Sequence, residues 1–290
     1  MKSAVLLIIF NRPETTKQVF EKIREARPPK LYIAGDGYRP HKENEEALCK
    51  EAQLIATNVD WPCEVRTLFR DENLGCKYGP ARAIDWFFEN EEEGIILEDD
   101  ILPLPAFFDF CDELLERYRE NPKVMMISGC NLISKRFCPI ESYFFVKHTH
   151  IWGWATWRRS WKFFDIEMTK WPEWKTSGSL EKKADSNSIV DSAWTNIFDY
   201  SYQNKIDAWD YQWTFACWQA NGLSALSEVN LIQNIGFGID ATHTKSEKPK
   251  CVVESVPKDI NFPLIHPKSI HQNLIADRII EKFVYGIERK

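Results

Sequence analysis

Glu98, Asp99 and Asp100 stand in a row, with apolar residues 95–97 before them and Ile101, Leu102 and Leu104 after them. Acids that follow a strand are commonly a solvated turn or a helix cap. These three instead emerge directly from what reads as a core strand. Like charges packed together need a compensating cation. Carboxylate oxygens favour a hard ion such as manganese or magnesium. Such an ion takes one or two carboxylates and leaves positions for water or a diphosphate.

Other residues have the types needed to join them. Asp36 ends the stretch "AGDG", and Arg12 follows Asn11 in "FNRP". A planar, permanently charged guanidinium suits phosphate recognition. Asp210 lies between Trp209 and Trp213 in "AWDYQW", where a carboxylate would cap a helix. "NLGCKYGPAR" (73–82) offers glycine amides and Lys77 ahead of a helix.

Alternating signals position these residues. The run at 3–10 is apolar throughout, as in a strand covered on both faces. Residues 15–26 place Val19, Phe20 and Ile23 at helical spacing before Pro28 and Pro29. Strands then read at 30–37, 63–70 and 94–100, with helices at 43–57 and 80–90. Strands alternating with helices imply an α/β fold, its central sheet mixed but mostly parallel, with helices on both faces and ligands at the strands' carboxyl ends. Asn11, Arg12, Asp36 and Glu98–Asp100 all fall at those ends. Ten of the twelve tryptophans lie between Trp152 and Trp218. A tryptophan stripe is more often core than sugar platform. Residues 173–188 read as a polar insertion, and 271–290 as an amphipathic helix after a loop. That helix has three placements open to it: docked on the domain, at a homodimer interface, or resting on a membrane surface.

The chain has 290 residues, 44% of them hydrophobic, enough for a substantial core. A net charge of −6 disfavours a nucleic-acid partner bound over a broad basic face. Its longest apolar run, at 4–10, is too short to span a bilayer and lacks a signal-peptide layout. The eight cysteines form no CxxC pair, so free thiols in a reducing cytosol are expected.

The ordered set of segments resembles the inverting N-acetylglucosaminyltransferase I family of GT-A fold, within the nucleotide-diphospho-sugar transferase superfamily. "EDDILPLPAFFDF" is similar to that family's acidic motif with its Pro and Phe-Phe. "VMMISGCN" (124–131), "GWATWRRSW" (153–161), "AWDYQWTFACWQANGLSALSEVN" (208–230) and "GFGIDATHT" (236–244) resemble its later segments in the same order. The likeness covers about residues 3–245. It implies a GT-A catalytic domain at 1–240, with a nucleotide-binding half at 1–100 and an acceptor-side half at 101–240. Residues 241–290 would then form a lid loop and the C-terminal helix.

The resemblance also assigns roles. Asp100 would bind Mn2+ or Mg2+. Asp99 would contact ribose or the metal's water shell, and Glu98 the donor sugar or a basic neighbour, and these roles are interchangeable. Asp36 would hold uracil; Asn11, Arg12 and Lys77 would lie near the nucleotide and its phosphates. Gly153 and Trp154 would floor the donor sugar, and His243, beside Thr242, would sit in a donor-induced lid. Asp210 would be the catalytic base. The family has a second acid after it, where this chain has Tyr211, so Asp207 stands as the other candidate.

The implied activity is metal-dependent transfer, with inversion, of a sugar from a UDP-sugar to a saccharide or lipid-linked saccharide of the cell envelope. N-acetylglucosamine is the sugar the resemblance favours. A bacterial-type cytosolic enzyme is expected, soluble or peripheral on the inner face of the membrane. Two other readings are a non-catalytic, Trp-rich carbohydrate-binding protein and a sugar-phosphate nucleotidyltransferase. The second would need a glycine-rich phosphate loop after the first strand, where "FNRPETT" has no glycine.

Overall fold

A computed structural model describes residues 1–237 and 248–289. The N-terminal half alternates as expected: β1 (Ala4–Ile9), α1 (Pro13–Ala26), β2 (Lys30–Gly35), α2 (Glu45–Thr57), β3 (Glu64–Phe69), α3 (Gly75–Asn90) and β4 (Glu93–Glu98). A short β5 (Ile101–Pro103) and α4 (Pro105–Tyr118) lead to β6 (Val124–Ser128), β7 (Tyr143–Val146) and β8 (Trp154–Trp157). Helices α5 (Arg158–Trp161), α6 (Trp171–Thr176), α7 (Ser179–Lys183), α8 (Ser188–Tyr202) and α9 (Asp210–Gln219) precede β9 (Leu223–Ser227) and β10 (Ile232–Asn234). The chain closes with α10 (Lys250–Glu254) and α11 (Leu274–Phe283).

Eight strands form one sheet in the order β3-β2-β1-β4-β8-β6-β9-β7, and β5 pairs with β10 apart from it. β8 runs antiparallel between β4 and β6, and β7 runs antiparallel at the edge; the other six strands share one direction. The sheet is therefore mixed but mostly parallel.

Alternation along β1 divides the core. Val5, Leu7 and Ile9 pack with α1 and α4 residues such as Phe20 and Phe107, while Ala4 and Leu6 face Ile84, Phe87 and Trp154 on the other side. Each fully buried side chain of this size contributes about 1.5–3 kcal/mol. Trp154, Trp157, Trp171, Trp194, Trp213 and Trp218 are all fully buried, so this stripe is core. Residues 173–188 prove largely helical, because Leu180 and Ala184 bury against that aromatic layer. All eight cysteines are free thiols.

The C-terminal helix docks on the sheet edge. Asn273 caps α11 by accepting from the Ala276 amide at 3.0 Å. Ala276 and Ile280 pack on Phe144, Val146 and Leu226. Beneath them Lys147 Nζ meets Glu281 at 2.7 Å, both fully buried, and Arg289 reaches Glu281 from beyond the helix at 2.7 Å. Asp277 accepts from the Lys147 amide at 3.0 Å. Among the described residues no helix is long and apolar enough to cross a membrane.

This buried cluster predicts an acid response. Burial opposes the Glu281 charge, but His148 at 3.7 Å and Lys147 outweigh it and hold the carboxyl at about 2, below its ordinary 4.5. A depressed carboxyl stabilises the fold above its unfolded value, and that stabilisation is lost as pH falls through the folded one. His148, pushed down by burial, acts in the same direction; Asp277, pushed up by burial, acts against it. Denaturant titrations should show a loss on the order of 3 kcal/mol between about pH 5 and 2. Glu281→Gln should flatten that slope.

Candidate active site

The acidic triplet leaves the sheet where β4 ends. Alternation continues past the strand: Glu98 follows Ile96 towards the α3 and α9 face, and Asp99 follows Leu97 towards α1. Asp99 is buried, and its Oδ2 accepts from the Phe10 amide at 3.1 Å. The Arg12 guanidinium forks across the motif, one arm paired with Asp99 Oδ1 and the other with Asp100 Oδ2 at 2.9 Å. Arg12 is itself fixed, since its carbonyl accepts from the Thr16 amide at 3.0 Å at the head of α1. A guanidinium thus lies between two of the three carboxylates.

The charges remain crowded. Burial works against the Arg12 charge, but Asp99 and Asp100 outweigh it and raise its pKa. Burial, opposed by Arg12, pushes Asp99 up to about 6. Burial, then the charges of Asp100 and Asp99, push Glu98 up to about 8, and Asp210 adds to that shift. Glu98 and Asp210, 112 positions apart in sequence, therefore lie within each other's field. Asp210 opens α9, a place where a negative charge is favoured. Burial, then Tyr211 and Asp210, raise the Tyr285 phenol, so the segment after α11 borders the same side.

Asp36 follows β2 and turns towards α3. Its oxygens accept from the Leu74 amide at 2.9 and 3.0 Å and from Gly75 at 3.0 Å. That cap starts α3 at Gly75, five residues before the start expected from the sequence. The cap comes from 38 positions away, which no local pattern reveals. Burial raises the Asp36 pKa against these amides. Cys76, in the first turn of α3, links the two groups: after burial, Asp207 and Glu98 raise its thiol, Asp36 adds to them and Arg39 opposes. The charges of Asp36, Glu98 and Asp207 thus all act on one thiol that sequence reasoning passed over, for want of any motif.

The remaining expected residues are placed as follows. Asn11 donates to Glu45 at 2.9 Å, a buried carboxylate that also holds Arg39. Lys77 is buried and donates to Asn204 Oδ1 at 2.5 Å, tying α3 to the loop before α9. Gly153 has φ +70°, and a Cβ there would overlap Ile232. Trp154 is fully buried, stacked on Trp209 at 5.8 Å and close to Trp213 at 5.7 Å. Trp209 and Trp213 are buried with it, behind Asp210. His243 lies outside the described residues. The structure brings Arg12, Glu98, Asp99, Asp100 and Asp210 together, with Asp36 joined through Cys76. It leaves Asn11 turned to Glu45 and Trp154 in the core.

Among the described residues, no three His, Cys, Asp or Glu side chains gather to hold a metal by themselves. Asp100, partly exposed and paired with Arg12 through Oδ2 alone, fits an ion shared with a substrate diphosphate. Gly236 packs against that carboxylate so closely that a Cβ would overlap it. On the metal-dependent reading, Gly236→Ala should displace Asp100 and weaken manganese-dependent nucleotide binding about tenfold or more, an effect on the order of 1.4 kcal/mol. Calorimetry checks this.

No protein-family model matches the chain, and no curated protein matches it. Distant likenesses exist among solved structures. A UTP-bound UGPase from Acinetobacter baumannii aligns at TM-score 0.38 and 9% identity, covering 78% of this chain and 86% of that one. Mouse xyloside xylosyltransferase 1 aligns at TM-score 0.37 and 10% identity, covering 74% and 81%. A UDP-glucose pyrophosphorylase complexed with UDP-glucose aligns at 0.33 and 11%, covering 56% and 79%.

Proposed function

We propose that the chain is an inverting, metal-dependent glycosyltransferase. It moves a sugar, N-acetylglucosamine by the resemblance, from a UDP-sugar to a saccharide or lipid-linked saccharide acceptor. The observation that supports this is the Arg12-bound acidic triplet at the carboxyl edge of β4, with Asp210 within the field of Glu98.

Inverting transfer is one in-line displacement. The acceptor oxygen bonds to the anomeric carbon as the bond from that carbon to the diphosphate breaks, and UDP leaves with the electron pair. Asp210 takes the proton from the acceptor hydroxyl on the face opposite the diphosphate. Arg12, held in its fork on Asp99 and Asp100, places positive charge near the diphosphate. Asp100 would hold Mn2+ or Mg2+, which when bound supplies positive charge to the departing diphosphate. Glu98, whose charge burial and the neighbouring Asp100 and Asp99 disfavour, contacts the donor sugar. The tryptophans behind Asp210 exclude water from its back.

Thermal-shift and calorimetric screening of nucleotide-sugars, with and without manganese, tests the reading. UDP-specific, metal-dependent stabilisation is expected. No nucleotide binding under any condition would overturn it in favour of a carbohydrate-binding protein.

A further inference from the structure

An open groove of about 680 Å³ lies between the end of α4, with the turn into β6, and residues 267–271. β6 shares the direction of β4, so the start of β6 is at the edge of the sheet remote from Asp100. Arg117, Lys123 and Lys268 line the groove with Asn121, Ser269 and His271, and no carboxylate does.

Among the described residues none of the three cations forms an ion pair; Arg117 only overlies the Tyr118 ring at 5.9 Å. Acids near them on the chain are engaged elsewhere. Glu113 meets His266 at 3.1 Å, Glu116 meets Lys2 at 3.2 Å, and the charge of Glu120 acts on Arg119 and Arg159.

The walls are set without a ligand. Ile265 and Ser142 exchange two hydrogen bonds, at 2.8 and 2.9 Å, and the Asn273 amide donates to the Phe145 carbonyl at 2.7 Å. Residues 267–271 are thus tied down on both sides. The opposite wall is a turn closed by Val124 donating to the Asn121 carbonyl at 3.2 Å. A groove held in shape spares a ligand the ordering cost.

We infer that this groove binds a phosphoryl group carried on an organic body. Three cations and no carboxylate along one groove favour a multiply charged anion. Asn121, Ser269 and His271 supply hydrogen-bonding groups beside the cations. The volume exceeds a bare phosphate and is in the range of small-molecule sites. A soluble phosphate ester and the headgroup of an anionic lipid present the same chemistry. The assignment stands apart from the glycosyltransferase reading.

Pyrophosphate titrated into the full chain by calorimetry, in EDTA and at low salt, tests it. Binding should weaken at least about tenfold in Lys123→Glu/Lys268→Glu and persist in Lys123→Arg/Lys268→Arg, with Tm unchanged in both. Both positions are exposed, so neither variant should disturb the fold. Co-sedimentation with phosphatidylglycerol vesicles that needs the same two lysines would assign the phosphoryl group to a lipid. Pyrophosphate binding without vesicle binding would assign it to a soluble ester. If neither probe binds, or if the double Glu variant binds as well as the original chain, the inference is overturned.

Discussion

Asp210→Asn is expected to abolish sugar transfer while leaving the affinity for the UDP-sugar intact. Asparagine keeps the shape of the side chain at the head of α9 but cannot take a proton. A positioned general base contributes roughly 10²- to 10⁴-fold in rate, so turnover should fall by that factor. Donor binding measured by calorimetry should match the original chain. Asp207→Asn is the control: Asp207 is exposed, though its charge reaches Cys76 in the same crevice. Normal turnover by Asp210→Asn, with loss in Asp207→Asn, would move the base to Asp207.

The second large effect falls on Arg12. Removing its guanidinium leaves buried Asp99 without its cation and in the field of Asp100 and Glu98. Breaking a buried pair at one end costs about 3–5 kcal/mol, so Arg12→Gln should lose that much stability at pH 7 in urea titrations. Arg12→Lys should recover only part of it, because one ammonium cannot span two carboxylates as the fork does. A cost below about 1 kcal/mol in Arg12→Gln, as for an exposed pair, would show that Arg12 is not the counter-ion of the triplet.

The legibility of the sequence followed the range of the forces involved. β1, β2 and β4 were readable because strands buried on both faces are apolar along their whole length. The acidic triplet was readable as a site because its charges interrupt such a run. Its counter-ion was not: Arg12 and Asp99 are 87 positions apart and meet only because β1 and β4 are neighbours in the sheet. Asp36 was read as a uracil ligand; its cap on α3 depends on the β2–α3 contact, which no local pattern reveals. The strand expected over 94–100 stops at Glu98, since the chain must turn before β5 can pair with β10. The docking of α11 was one of three open placements. Lys147 and Glu281, which fix it, are each unremarkable in sequence and significant only as a buried pair.

The clustering of indole rings has a practical outcome for spectroscopy. Only Trp61 and Trp86 lie before residue 152; the other ten sit in the second half of the chain, most of them in one stacked layer. Intrinsic fluorescence will report almost entirely on that half. Strong coupling among neighbouring indoles should also give an intense near-ultraviolet dichroism band. An unfolding curve followed by emission will therefore track the aromatic layer, while loss of the parallel strands at the N-terminal end must be followed at amide wavelengths.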